Sequence, residues 1–261
     1  MIYRTDYHIH SIYSDGRSAP EEYIEPALAA GLSEIGFSEH LNLYSAQDGS
    51  VMDPSEMPGY LKNIDTIRKN TSLIRVKTGL EVDFFKGREK ETGEYLNTLD
   101  LDYVIGSVHY LGDKTVDHGP DFYEGKSIDM LFGSYIDTVC AAAASDLFDI
   151  IGHCDLIRIY GFKPSGDPGP HYRRLARTMK QHNVAFEVNT NGRNRPLADF
   201  YPDRKFLGIF HEENIPVCVN SDAHMPSRVG QYFDEAYELL RYVGFTEMAV
   251  FDKRVRHMVP F

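Results

Sequence analysis

Seven apolar runs punctuate this chain, and residues of metal-binding type gather at their ends. The runs fall at 3–9, 34–37, 75–82, 103–108, 149–151, 185–188 and 217–220, and they are rich in Ile, Val, Phe and Tyr. Such runs read as buried strands. At or just past their ends stand His8, His10, Asp15, His40, Glu81, His109, His153, Asp222 and His224, a set that takes six of the chain's eleven histidines. If strand ends converge, these side chains meet at one polynuclear metal site.

Helical stretches separate most of the runs. Ser18, Pro20, Glu21 and Glu22 predict a capped start with acidic residues in the first turn, and Gly31 predicts its end. Further helices are expected at 57–70, 89–97, 128–144, 172–183, 204–213 and 234–243. Alternating strand and helix implies parallel strands with helices packed outside, and seven strands imply a closed or nearly closed α/β barrel. In such barrels the chemistry sits at the C-terminal strand ends. A length of 261 residues suits one such barrel, so 1–261 reads as a single domain. The Pro/Gly/Asp/Ser-rich segments 44–58 and 161–170 are expected to form rims of the pocket.

Charge and cysteine content narrow the function. A net charge of −12 argues against a sequence-independent grip on a nucleic acid backbone, so the expected partner is a small molecule. Cys140, Cys154 and Cys218 form no CxxC pair and read as reduced core thiols. Cys154 adjoins His153, yet neighbouring residues on a strand face opposite ways, which argues against a second ligand there. No basic-then-apolar leader opens the sequence and no run reaches the roughly 18 apolar residues of a membrane span, so the cytoplasm is the expected compartment. A homo-oligomer is compatible with the sequence, which carries no surface information.

The motifs gain meaning jointly. His8-x-His10 places two imidazoles on one strand face, and Ser14-Asp15-Gly16 adds a carboxylate in a turn. Either element alone is more often ordinary polar structure. Glu81 is a carboxylate inside an apolar run, and a buried charge needs a partner. Bridging two cations would satisfy both of its oxygens. Asp83 shares its face, as a group that supports a ligand or touches substrate; Glu39, beside His40, is expected to orient a ligating imidazole. His109 and His153 each follow an apolar strand with a glycine, and Asp222-x-His224 closes the last strand.

Three carboxylates and six imidazoles suffice for three divalent ions, for which zinc, manganese and iron all suit the mixed nitrogen and oxygen set. Arg158, Arg193 and Arg195 follow strands aimed at the cluster and are candidate clamps for phosphate oxygens, with surface salt bridging the plainer alternative for each. His118, in the loop after the fourth strand, is a candidate for substrate contact. His182 and His211 fall on helical stretches and are expected to face solvent.

The ordered set His8-x-His10, Asp15-Gly16, His40, Glu81, His109, His153 and Asp222-x-His224 resembles the metal signature of the PHP (polymerase and histidinol phosphatase) superfamily, over residues 3 to about 235. The segments Gly79-Leu80-Glu81-Val82-Asp83, Val104 to His109, Glu187-Val188-Asn189-Thr190 and Val229-Gly230 resemble the monofunctional histidinol-phosphate phosphatases within it. The resemblance implies a distorted (β/α)7 TIM-like barrel with a trinuclear centre, and hydrolysis of L-histidinol phosphate in histidine biosynthesis. It also implies a first ion on His8, His10, Glu81 and Asp222, a second on Glu81, His109 and His153, and a third on Asp15, His40 and His224. One departure stands out: relatives tend to carry a basic pair before the proline at 196, where this chain has Asn194-Arg195 with Arg193 displaced by one.

The expected reaction is attack on phosphorus by a hydroxide bridging two ions beside Glu81, with Asp222, His118 or water protonating the leaving alkoxide. Two other readings compete. One is a phosphoesterase for nucleotides or another small ester, against which the short span from Glu81 to His109 leaves no room for an inserted domain. The other is a non-catalytic metal-binding module, against which all nine positions keep competent ligand types.

Overall fold

The computed structural model describes residues 3–44 and 50–261. Seven strands form one parallel sheet: β1 (Thr5–Asp6), β2 (Glu34–Leu41), β3 (Arg75–Asp83), β4 (Tyr103–Ser107), β7 (Ile150–Ile151), β8 (Ala185–Asn189) and β9 (Val217–Asn220). They neighbour one another in that order, each pair parallel. The small strands β5 (Tyr110–Leu111) and β6 (Lys114–Thr115) form a hairpin outside the sheet. Helices α1 (Ile24–Ala29), α2 (Met57–Asn70), α3 (Glu89–Leu96), α4 (Ile128–Ala143), α5 (Gly169–Gln181), α6 (Leu207–Glu212) and α7 (Phe233–Val243) lie along the crossovers.

The sheet curls into a nearly closed barrel. At the seam Ile9 bridges Ala223 in parallel, His10 N–H donates to Ala223 O at 2.9 Å and Ala223 N–H to His8 O at 3.1 Å. Lower in the seam, side chains replace the backbone ladder: Tyr7 N–H donates to Asn220 Oδ1 and Ser221 N–H to Asp6 Oδ1, both at 2.9 Å. This explains why the apolar run 3–9 is a regular strand only over Thr5–Asp6. The chain is still extended there, but its partner is a seam and not a full ladder.

Two glycines set the barrel's bore. The Tyr103 ring crosses the interior, and a Cβ built on Gly36 or Gly79 would stand 2.4 or 2.3 Å from its atoms. The ring fits because both strands lack side chains at those points. Its hydroxyl donates to Tyr7 O at 2.6 Å and Phe37 O at 3.0 Å, so the interior polar group is satisfied.

The lower end is sealed by an antiparallel hairpin, β10 (Glu247–Asp252) and β11 (Val255–Pro260), which the hydrophobic pattern did not announce. β11 is mostly exposed, so it carries no period-2 apolar signal. Ala249 and Phe251 of β10 join Tyr7, Tyr103, Ile105, Ile150, Ala185 and Cys218 in a core inside the barrel. Arg254 fastens the hairpin through Asp149 Oδ2 at 2.7 Å and Leu147 O at 2.6 Å. A larger apolar shell between sheet and helices makes up the rest of the core.

Several boundaries moved. β2 continues through His40 to Leu41, so His40 sits within a strand. The first helix opens as a 3-10 turn at Pro20–Tyr23, and its cap is not Ser18: the Glu22 carboxylate accepts from Ala19 N–H at 2.9 Å. Gly31 ends the helix as expected, at φ 72°. His182 pairs with Asp146 and His211 packs on Phe245, both half-buried rather than facing solvent. The three cysteines are free, with Cys154 and Cys218 buried and Cys140 half-buried. Among the described residues no helix is long and apolar enough to cross a membrane.

The interior packing makes a direct prediction. Gly36→Ala drives a methyl into Tyr103 and should destabilise the fold by about 1–3 kcal/mol, the usual cost of overpacking, read as a lower urea midpoint. An unchanged midpoint would show that the ring does not set the bore.

Candidate metal centre

All nine side chains converge at the C-terminal mouth of the barrel. Inward-facing positions of β3 place Glu81 at the centre, buried to 1% exposure. Its Oε2 lies 2.8 Å from His40 Nδ1, 3.2 Å from His8 Nε2 and 3.5 Å from His10 Nε2. Its Oε1 lies 2.9 Å from His153 Nε2 and 3.6 Å from His109 Nε2, and accepts from Ser107 Oγ at 2.5 Å. One carboxylate therefore touches five imidazoles.

The remaining carboxylates stand on the seam side. Asp222 Oδ1 is 3.6 Å from His10 Nε2 and 3.9 Å from His8 Nε2, in a backbone held at φ 51°. Asp15 reaches His224 Nε2 at 3.2 Å and His40 Nε2 at 3.6 Å. Gly16 lets this turn lie flat on the backbone of His10 and Ser11, because a Cβ there would fall 2.1 Å from His10 O. Ligand-type atoms within 4.8 Å of one another form four overlapping groups: His10, Asp15, His40 and His224; His8, Glu81 and His153; His8, His10 and Asp222; and His40, Glu81 and His109. His10 joins Asp15, His40 and His224, while His8 and Glu81 each enter two of the groups, so the side chains interlock more than three separate sets would.

Buried polar atoms without a hydrogen-bond partner concentrate here. They include His8 Nε2, both ring nitrogens of His10, Glu81 Oε2 and His153 Nδ1. Each would cost on the order of 1–3 kcal/mol if left unmet. The lone pairs of His8 Nε2, His10 Nε2 and Glu81 Oε2, clustered at the centre, fit divalent cations.

Supporting carboxylates fix the ring orientations. Glu187 lies 2.9 Å from His8 Nδ1 and accepts from His153 N–H at 2.7 Å and Asn220 Nδ2 at 2.8 Å. Asp83 holds His109 Nδ1 at 2.7 Å. Both leave Nε2 of their imidazole turned to the centre. Sequence reading missed Glu187, although its signal equals that of Glu81: a carboxylate inside an apolar strand. Glu39 differs from expectation. It orients no imidazole; it accepts from Ser11 N–H, Ser11 Oγ and Ser14 Oγ, and so holds the loop that carries Asp15.

The electrostatics describe a cluster waiting for positive charge. Burial opposes a proton on His8, yet Glu187, Glu81 and Asp222 together raise it well above the usual imidazole range. Burial likewise opposes charge on His40 and His109, but Glu81 lifts His40 to about 9, and Asp83 with Glu81 lifts His109 to about 10. Burial plus the neighbouring His40 and His224 push His10 down to about 3. Despite burial, which favours the neutral acids, Glu81 and Asp222 are held ionised well below the carboxylate range by surrounding imidazoles, His8 foremost. Metal uptake must displace the protons on His40 and His109.

The second-rank candidates separate. Arg195 lines a cavity of about 90 Å³ over Glu81, His109, His153 and Asp222, and also the adjoining cavity of about 350 Å³ with Arg17 and Arg228. Arg158 does not reach either. It is 3% exposed and bound to Asp155 at 2.7 Å, with Asp199 and Asp203 both at 3.4 Å, so its charge is already matched inside the wall. Arg193 also turns away, to Glu235 at 3.0 Å and across the rings of Phe200 and Tyr232. His118 lies in a separate surface hollow with Lys114 and Asp121. Neither cavity over the cluster is lined by 161–170; of 44–58, the described residues line neither, and 45–49 fall outside the described residues. Arg17, Arg228, Asn191, Asp117 and Tyr201 enter the lining instead, from positions that no motif marks.

Fold and side chains together define a seven-stranded parallel barrel whose mouth holds a carboxylate-centred imidazole cluster. The chain belongs to the PHP family: the model of the PHP domain matches residues 6–191. A probable histidinol-phosphatase of Deinococcus radiodurans is 36% identical over 92% of this chain and 93% of its own length. The histidinol-phosphatase of Lactococcus lactis is 27% identical over 95% of this chain and 94% of its own. A crystal structure of the L. lactis enzyme, titled as a complex with zinc, L-histidinol and phosphate, superposes with a TM-score of 0.86 at 24% identity, covering 98% of this chain and all of that one.

Three outcomes test this description. Zinc affinity of the stripped protein should rise steadily as pH is raised from 6 towards 9 through the His40 value, with proton release on binding in calorimetry; a pH-independent affinity would contradict it. Glu187→Gln should weaken metal binding about 10- to 100-fold, measured by competition with a chelator. Arg158→Ala should act on stability, by about 3–5 kcal/mol in chemical denaturation, because Asp155 is left buried without its cation, held by Tyr172 Oη–H and Asp203 N–H.

Proposed function

We propose that this chain is a metal-dependent phosphomonoesterase that hydrolyses L-histidinol phosphate to L-histidinol and phosphate, the whole span 1–261 acting as one domain. The observation that carries the reading is the Glu81-centred cluster beneath an arginine-lined cavity, in a chain 36% identical to a probable histidinol-phosphatase. We assign three divalent cations to His8, His10, Asp15, His40, Glu81, His109, His153, Asp222 and His224, with zinc, manganese or iron as the ion. Bound there, such ions supply Lewis acidity towards phosphoryl oxygens and bring the ionisation of water near neutrality.

The chain's own groups do the rest. Glu81 shares its two oxygens between opposite halves of the cluster and is steadied by Ser107. Asp222, kept ionised and accepting from Asn189 Nδ2 at 3.1 Å, is placed to take and return a proton during attack and departure. Arg195 binds phosphoryl oxygens from the cavity wall, the role for which Arg158 and Arg193 are otherwise engaged. His118, in its separate hollow, has no part in this scheme. The reading sets the reaction in the cytoplasm, on a small-molecule partner with neither nucleic acid nor membrane, and with self-association compatible.

A nucleotide or another small phosphate ester is the second reading, favoured by one observation: Arg17 and Arg228 join Arg195 around the larger cavity and suit extra anionic charge.

Phosphate release from histidinol phosphate by purified protein should vanish on chelation and return with zinc or manganese. Single replacements His8→Ala, Glu81→Ala and Asp222→Ala should each remove several orders of magnitude of turnover. Arg195→Ala should lower kcat/KM roughly 10- to 100-fold, the scale of one lost charge-assisted hydrogen bond. Activity that survives complete metal removal, or faster turnover of nucleoside phosphates than of histidinol phosphate, would reject the reading.

A further inference from the structure

Among the described residues nine tyrosines are buried, and eight of them donate their hydroxyl to a protein acceptor. Tyr60, for example, reaches Phe37 O and Gly79 O, and Tyr135 reaches Val108 O. Tyr201 is the exception. It is 1% exposed, and its hydroxyl meets no hydrogen-bond partner among the described residues. A buried hydroxyl in that state is costly to the fold, and a ligand that accepted from it would offset that cost.

The position of the ring says which ligand. Tyr201 lines the small cavity over the cluster, together with Arg195, His153 and Asp222. Its ring meets that of His153 edge-on, with centroids 6.2 Å apart. Its backbone is fastened to the end of β8, where it exchanges hydrogen bonds with Asn189 at 2.8 and 3.1 Å. Gly192 presses on the same ring, since a Cβ there would stand 3.0 Å from it. The phenol is thus a rigidly held hydroxyl donor. A fixed neutral O–H beside a guanidinium is complementary to an anionic oxygen.

We propose that Tyr201 donates a hydrogen bond to a non-bridging oxygen of the phosphoryl group bound over the cluster, beside Arg195. This deepens the phosphomonoesterase reading and rests on it. Both donors come from the chain between β8 and α6, while the imidazoles come from the ends of the other strands of the sheet.

The test compares metal-loaded wild type, Tyr201→Phe and Tyr60→Phe. Calorimetry gives the affinity for inorganic phosphate, and kinetics gives kcat/KM for histidinol phosphate and p-nitrophenyl phosphate. Tyr201→Phe should weaken phosphate about tenfold and lower kcat/KM for both esters by at least that factor, with unchanged metal content and a melting temperature equal to or above wild type. Tyr60→Phe, which removes a hydroxyl that the fold uses, should lower the melting temperature. Wild-type phosphate affinity in Tyr201→Phe would overturn the proposal, as would a loss of metal or of thermal stability that accounts for the kinetic effect. A loss confined to the alkyl ester would also overturn it, because the hydroxyl would then serve the leaving group. Failure of the histidinol phosphate reading shows elsewhere: the wild type would bind phosphate yet leave that ester intact.

Discussion

The structure depends on a buried carboxylate that the protein alone does not satisfy. Glu81 sits at the centre of the cluster with imidazoles on both oxygens and, among the described residues, only Ser107 as a hydrogen-bonding partner from outside the imidazole set. In a low-dielectric interior an isolated charge of this kind is prohibitive, so the surrounding strands must deliver compensating groups. Parallel strands do this efficiently. Their C-terminal ends point the same way, and each crossover helix returns the chain to start another strand with its end at the same mouth.

From that constraint follows a layered site. Imidazoles face the centre through one nitrogen, and Glu187 and Asp83 hold the other nitrogen of His8 and His109. Farther out, Glu39 shapes the Asp15 turn through two serines, and Gly16 allows the turn to touch the backbone of His10. The balance of charge is local. Imidazoles raised to about 9 and about 10 stand beside carboxylates held ionised, so the cluster draws either protons or cations into a chain that is otherwise acidic. Among the described residues the opposite end of the barrel carries no such group of ligand-type side chains. There the C-terminal hairpin fills the bore with Phe251 and Ala249 and ties itself to strand starts through Arg254.

Arginine shows the limit of reading position along the chain. Arg158, Arg193 and Arg195 all follow strands that point at the cluster, and nothing in their spacing distinguishes them. Their surroundings do. Asp155, Asp199 and Asp203 surround Arg158, and Glu235 takes Arg193, while no carboxylate among the described residues takes Arg195. The partners come from segments remote in sequence, so the pairing is visible only after folding. The cavity lining follows the same rule: Arg17, Arg228, Asp117 and Tyr201 are brought together from four different loops.

By itself the sequence determined the alternation of strands and helices, the parallel barrel, and the nine residues that meet at its mouth. These are legible because burial imposes a residue-type pattern at short range, and because metal-binding types at strand ends have no other common cause. Tertiary structure decided what depends on remote partners. It assigned Glu187 to His8, turned Glu39 to the serines, withdrew Arg158 and His118 from the site, and placed the C-terminal hairpin under the barrel. The reason is physical: hydrogen bonds and ion pairs are made to whichever group the fold brings within about 3 Å, and composition along the chain does not encode that distance.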